Sequence, residues 1–239
     1  AHAYQSLAIS LPVERKNEIL PYLEESLRIS LENRVEDAAC RAQLNLGTAY
    51  SNLKDDYKKA EDIYLKGMDY ARRVGFPAYG EWMVGELAQY VYIPLGQWDK
   101  CEQTVLARLT VAQELGELWV LRAKLPLAFS NLYRGNLDKA ESLLMEILPI
   151  AEKSHQTEFL LNCYEAAGSL YLERRDFANA LKHLIKADEL VFHGWTNQRQ
   201  FLQTTFVKLQ VCLEAEQLSA AEEAYHQLTQ LATAFSEPC

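Results

Sequence analysis

The sequence predicts an all-α solenoid of antiparallel helix pairs, and three observations carry that prediction. A short motif returns five times at a period near 40 residues. The apolar residues around it recur at helical spacing. The chain holds only 10 Gly and 7 Pro in 239 residues, too few for the many turns of an all-β protein of this size.

The motif is clearest in YKKAEDIY (57–64), WDKCEQTV (98–105), LDKAESLL (137–144), FANALKHL (177–184) and LSAAEEAY (218–225). Its centre is a small residue, Ala60, Cys101, Ala140, Ala180 or Ala221, and the steps between these are 41, 39, 40 and 41 residues. A large apolar residue lies three before it (Tyr57, Trp98, Leu137, Phe177, Leu218) and another four after it (Tyr64, Val105, Leu144, Leu184, Tyr225). A second marker lies 12 or 13 residues upstream: Leu46-Gly47, Leu87-Ala88, Leu127-Ala128 and Ala167-Gly168, with Lys208-Leu209 departing in the fifth copy. Two antiparallel helices approach closely only where side chains shrink to a hydrogen or a methyl. Each marker pair therefore predicts a close crossing, with the flanking large residues filling the space beside it.

Within AEDIYLKGMDYARRV the apolar and small positions Ala60, Ile63, Tyr64, Gly67, Met68, Ala71 and Val74 form one stripe of a helix. Gly75, Gly116 and Gly194 fall just past the second helices, where a left-handed terminating residue is expected, and Ser154-His155 takes that place in the third copy. The connectors KDDY, PLGQW, RGNL and RRDF carry the turns inside each pair. Pro126, in LRAKLPLAFSNLY, falls mid-helix by this register, where proline frees the carbonyl of Arg122 and kinks the helix. The competing expectation, a helix that starts at Pro126, puts its beginning some eight residues later than in the aligned copies. Pro149 is expected to bend the following helix.

Composition narrows the function. A net charge of −9 opposes docking on nucleic acid or on an anionic membrane surface through this segment. No apolar run is long enough to span a bilayer, and AHAYQSLAIS lacks the basic and apolar regions of a signal peptide. With no initiator Met and a beginning that reads as helix, the chain is expected to be a fragment of a longer protein. Cys40, Cys101, Cys163, Cys212 and Cys239 are scattered and form no C-x-x-C pair, which predicts free thiols in a reducing cytoplasm. Neither a P-loop nor a G-x-G-x-x-G nor an H-E-x-x-H occurs. His2, His155, His183, His193 and His226 never stand four apart, so no metal site on one helix face is expected. No cysteine has a local His partner to make it a nucleophile. The chain is accordingly read as a non-enzyme, with no catalytic residue, cofactor or metal.

These registered helix pairs resemble the tetratricopeptide repeat superfamily, in which one helix carries L-G-x-x-Y and the next A-x-x-x-Y; Tyr50 and Tyr171 supply the aromatic after the first and fourth upstream markers. The resemblance covers five repeats (38–77, 78–117, 118–157, 158–196 and 197–236) in one continuous right-handed superhelical solenoid, preceded by a truncated or degenerate helix pair in 1–37. The period exceeds the usual 34 residues, which makes the repeats most similar to the solenoid of MalT-like bacterial signalling ATPases and transcription activators, and similar also to Rap-type peptide receptors and kinesin light chains.

The resemblance implies a binding role. First helices line the concave face of such arrays, and counting from the upstream markers places Arg41, Thr48, Ser51 and Asn52, then Trp82, Gln89 and Tyr92, then Arg122, Phe129 and Tyr133 on that face. Asn162, Glu165, Ser169, Glu173, Gln203, Phe206 and Gln210 follow. Aromatic residues and arginine dominate interface hot spots, so Trp82, Tyr92, Arg122, Phe129 and Tyr133 are expected to form one patch around Pro126. An equal alternative buries these aromatics between repeats. The expected function is a regulatory sensor domain in signal transduction or transcription regulation that binds a protein partner, or another domain of its own chain. A receptor for a small ligand or short peptide is the alternative, and an architectural spacer or oligomerisation arm the lesser one.

Overall fold

The computed structural model describes residues 1–12, 15–154, 156–190 and 198–236, and among these the chain is all-α, with thirteen helices and no strand. Two helices precede the repeats, α1 (His2–Ser10) and α2 (Lys16–Glu32). The first helices of the five repeats are α3 (Glu36–Leu53), α5 (Pro77–Leu87, continued by a π turn over Ala88–Tyr92), α8 (Glu117–Tyr133), α10 (Thr157–Glu173) and α12 (Gln198–Glu214). Their partners are α4 (Tyr57–Val74), the broken pair α6 (Trp98–Leu106) and α7 (Leu109–Leu115), then α9 (Leu137–Ser154), α11 (Phe177–Asp188) and α13 (Leu218–Ser236). The second helices of all five repeats begin three residues before the small residue of the motif.

The described residues fall into two compact units, one comprising Ala1–Pro126 and the other beginning at Leu127. In the first, α1 packs on α2, α2 on α3, α3 on α4 and α4 on α5; in the second, α9 packs on α10, α10 on α11, α11 on α12 and α12 on α13. Within each unit these sequential helices are neighbours in space, as in a helical array that buries its stripes pairwise. The α3–α4 crossing is antiparallel: Lys59 lies over the Tyr50 ring, Gly47 faces Tyr64, and Gly67 faces Gln43.

The turns inside the pairs share one geometry. Five residues before each small residue stands a residue with positive φ: Asp55 (51°), Gly96 (65°), Gly135 (77°), Arg175 (58°) and Glu216 (57°). In the last four, the following N–H returns to the carbonyl five residues back, as Asn136 does to Asn131 (2.8 Å) and Gln217 to Cys212 (2.8 Å). This is the closing bond of a Schellman motif. The same residue then opens the next helix, and Asp56 and Asp176 cap theirs with a side-chain oxygen that accepts from the N–H of Lys59 (3.0 Å) and Asn179 (3.1 Å).

The 12- or 13-residue separation of the markers now has a physical reason. The first two repeats carry one extra residue ahead of the turn. The first absorbs it at the helix end, where the Asp56 N–H bonds the Tyr50 carbonyl six residues back (3.0 Å). The second absorbs it in the π turn, closed by the Ile93 N–H on the Ala88 carbonyl (3.0 Å).

Gly75 ends α4 in the left-handed region (φ 81°, ψ 26°). Gly116 ends α7 differently from the expectation: at φ 118° and ψ 173° it is not left-handed helical but in the extended positive-φ region that only glycine occupies readily. Gly194, His155, His193 and Cys239 lie outside the described residues. Helix α8 runs from Glu117 through Pro126 to Tyr133, so it does not start at the proline. The Pro126 carbonyl accepts a weak bond from Cys101 Sγ (3.8 Å). Pro149 lies inside α9 and Pro21 inside α2. Cys40, Cys101, Cys163 and Cys212 are buried thiols.

Candidate functional site

In the first unit, the first-helix positions are drawn largely into polar packing. Thr48 shares a contact with the Tyr64 hydroxyl (3.1 Å) and donates to Glu86 (3.4 Å), and Asn52, also buried, accepts from Ser51 (3.3 Å). Arg41 is half-buried and pairs with Asp37 on its own helix (3.4 Å). The guanidinium of Arg122 lies over the Trp82 ring, 5.1 Å from its centroid, both side chains being half-buried, and Gln89 is half-buried too.

Tyr92 is not a groove residue. It is 1% exposed, its hydroxyl donates to Glu61 (3.0 Å), and Lys100 sits over its ring (4.6 Å). Tyr92 stands four past Ala88, the place that the buried Ser51 and Leu132 hold four past their own markers, whereas Tyr133 and Glu173, both exposed, stand five past theirs. Arg108, in the break between α6 and α7, reaches the buried Glu81 (2.7 Å), a part-buried ion pair that no repeat marker announces.

In the second unit the first helices enclose a cleft of about 340 Å³. Tyr133 enters it from α8; Glu165, Ser169, Leu172 and Glu173 from α10; Gln203, Phe206 and Gln210, with Leu202 and Val207, from α12. Seven of these ten are the positions counted from the markers, so the three-and-four-residue stripe of each first helix does converge there. Tyr133 and Phe206 are each 48% exposed, large rings presented to solvent. Phe129 takes the buried alternative: it is 3% exposed and lies under Tyr133, the two rings stacked at 6.2 Å. Asn162 is likewise buried, one turn below Glu165. The expected five-residue patch is therefore divided among exposed, stacked and buried side chains.

The base of the cleft is ionisable. Glu165 is 3% exposed and accepts a hydrogen bond from the buried Gln200 amide. Burial, only partly offset by that bond, pushes its carboxyl up to about 8. Burial of the Tyr133 hydroxyl, and then the nearness of Glu165, raises that group as well. No lysine or arginine lines the cleft. Burial without a countercharge favours the neutral form of a carboxyl, and a nearby cation favours the anion.

Among the described residues no helix is long and apolar enough to cross a membrane, and no group of three or more His, Cys, Asp or Glu could hold a metal ion. Compared with known proteins, the chain matches no family model and no curated protein at a significant level.

Proposed function

We propose that this chain is a tetratricopeptide-like interaction module whose helix pairs stack into a right-handed superhelix, and that its first-helix surface receives a protein or peptide partner. Its work is regulatory recognition in cytoplasmic signalling, not catalysis. The single observation that supports this reading most is the cleft of the second unit. Seven residues counted from the repeat markers meet there, two of them exposed aromatic rings of the kind that anchor interfaces.

The reading is tested by selecting a phage-displayed library of random peptides against the protein. Enriched peptides should lose binding by about tenfold or more in Phe206→Ala, a truncation of 1.4 kcal/mol or more. They should tolerate Met145→Ala, which alters an exposed residue of α9 outside the cleft. Peptides indifferent to Phe206→Ala would reject the cleft as the binding surface. A second reading, a receptor for a small ligand, is supported by the cleft volume of about 340 Å³, which falls within the usual range of ligand sites.

A further inference from the structure

Most carboxylates of this protein are either solvated or paired with a cation. Glu165 is neither. It is the one carboxyl lining the cleft that is almost wholly withdrawn from water, and its neighbours there are aromatic, aliphatic, amide and hydroxyl groups with a second acid, Glu173, at the exposed end of α10. Gln200 donates to one carboxyl oxygen, and no other side chain of the described residues bonds to Glu165. Gln200 Oε1, buried beside it, has no hydrogen-bond partner. A buried acid left without a countercharge costs stability. A buried acid in a cleft that half-exposed aromatic rings also line has, in addition, the composition of a site for a cation, whose charge is attracted by the ring faces and neutralised by the carboxylate.

Resting on the reading of this cleft as a peptide-binding surface, we infer that its occupant presents a cationic side chain, the guanidinium of arginine or the ammonium of lysine, to Glu165 between the rings of Tyr133 and Phe206. Charge complementarity carries the assignment: two acids and no base line the cleft, in a chain of net charge −9. The polar amides of Gln203 and Gln210 along α12 suit the backbone of an extended peptide. The high proton affinity of Glu165 fits the same picture, because a neutral acid keeps the empty cleft stable and the arriving cation displaces its proton.

The test uses blocked peptides Gly-Leu-Xaa-Leu-Gly with Xaa as arginine, citrulline or glutamate, titrated into the full chain and followed by NMR shifts of the cleft amides. Citrulline has the shape of arginine without its charge. The arginine peptide should bind at least about tenfold more tightly than the citrulline peptide, and the glutamate peptide least of all. In Glu165→Gln, isosteric and able to keep its contact with Gln200, the preference should shrink to less than about twofold while the helical circular dichroism is unchanged. Glu173→Gln, at an exposed position, should reduce it only partly. Equal binding of the arginine and citrulline peptides, no shift with the arginine peptide, or a preference that survives Glu165→Gln would each overturn the inference. Peptides without basic residues that still depend on Phe206 would show that the cleft binds peptides but not through a cation, separating this failure from failure of the binding reading.

Discussion

Gly168 on α10 and Leu184 on α11 are in such close contact that a methyl on Gly168 would lie 2.6 Å from Leu184 Cδ2. The equivalent pair in the first repeat is Gly47 and Tyr64, where the same methyl would collide with the ring. Both pairs join the upstream marker of a repeat to the large residue four past its small one. Gly168→Ala should therefore destabilise the protein by about 1–3 kcal/mol through over-packing. Gly85→Ala, also inside a helix but with nothing within 4 Å of the added methyl, should instead stabilise by roughly 0.5–1 kcal/mol through helix propensity. Denaturant melts of the two variants check the pair, and equal signs would contradict the crossing.

The other half of each crossing is the small residue of the second helix. Ala140 and Ala180 are completely buried, so Ala140→Leu or Ala180→Leu should also cost about 1–3 kcal/mol. Lys139→Ala, one residue away and exposed, should stay within about 0.5 kcal/mol. Chemical denaturation distinguishes these outcomes directly.

The crossings were legible in the sequence because a glycine or alanine at a fixed interval has few other reasons to recur. The helix bounds followed from the same markers, since the small residue of each second helix lies one turn inside it. What stayed hidden depends on single-residue geometry. Tyr92 stands four past its marker, like the buried Ser51 and Leu132, and that one-residue difference from the exposed Tyr133 and Glu173 separates core from surface. Phe129 follows its marker by one residue, as Ser169 does, yet a phenyl ring reaches into the core where a serine remains at the cleft. Counting placed Glu165 on the concave face, but its burial and its bond from Gln200 carry no periodic signal, because each is a single polar residue whose depth the marker interval does not set.

Turn geometry makes a prediction of its own. Glu216 holds φ at 57° where Gly96 and Gly135 occupy the equivalent turns of other repeats. A side chain in the left-handed region costs about 1–2 kcal/mol, part of which glycine returns through its greater freedom in the unfolded chain. Glu216→Gly should raise stability by up to about 1 kcal/mol, and Gly135→Ala should lower it by a similar amount. Thermal melts that moved in the opposite directions would contradict the shared turn.

Tyr133 and Phe129 stack, but one is exposed and the other is not. Phe129→Ala should cost about 3–5 kcal/mol, as truncation of a buried aromatic does. Tyr133→Ala should cost far less, because nearly half of its surface already meets water. The same pair should divide the other way in peptide binding, with Tyr133→Ala weakening it at unchanged helicity. If both variants melted equally early, Tyr133 would belong to the core and the cleft would lose one of its rings.

Glu165 predicts how stability depends on pH. Its folded carboxyl is pushed up to about 8 by burial, against about 4.3 for an unfolded glutamate. Between these values the folded state holds a proton that the unfolded state has released. The slope of stability with pH follows the protons bound by the unfolded minus the folded state, so here it is negative. The contribution of Glu165 is fully present below pH about 4.3 and is lost progressively as pH rises to about 8. Glu165→Gln removes the titrating group while keeping its shape and its contact with Gln200. The stability of the variant relative to the parent should therefore be least at pH 4 and should grow steadily towards pH 8, each pH unit within the window adding at most about 1.4 kcal/mol. Denaturant unfolding of the two proteins across this range measures the difference. A difference that stayed flat with pH would mean that Glu165 is ionised in the empty cleft, and one that fell with pH would mean that an unrecognised cation already pairs with it.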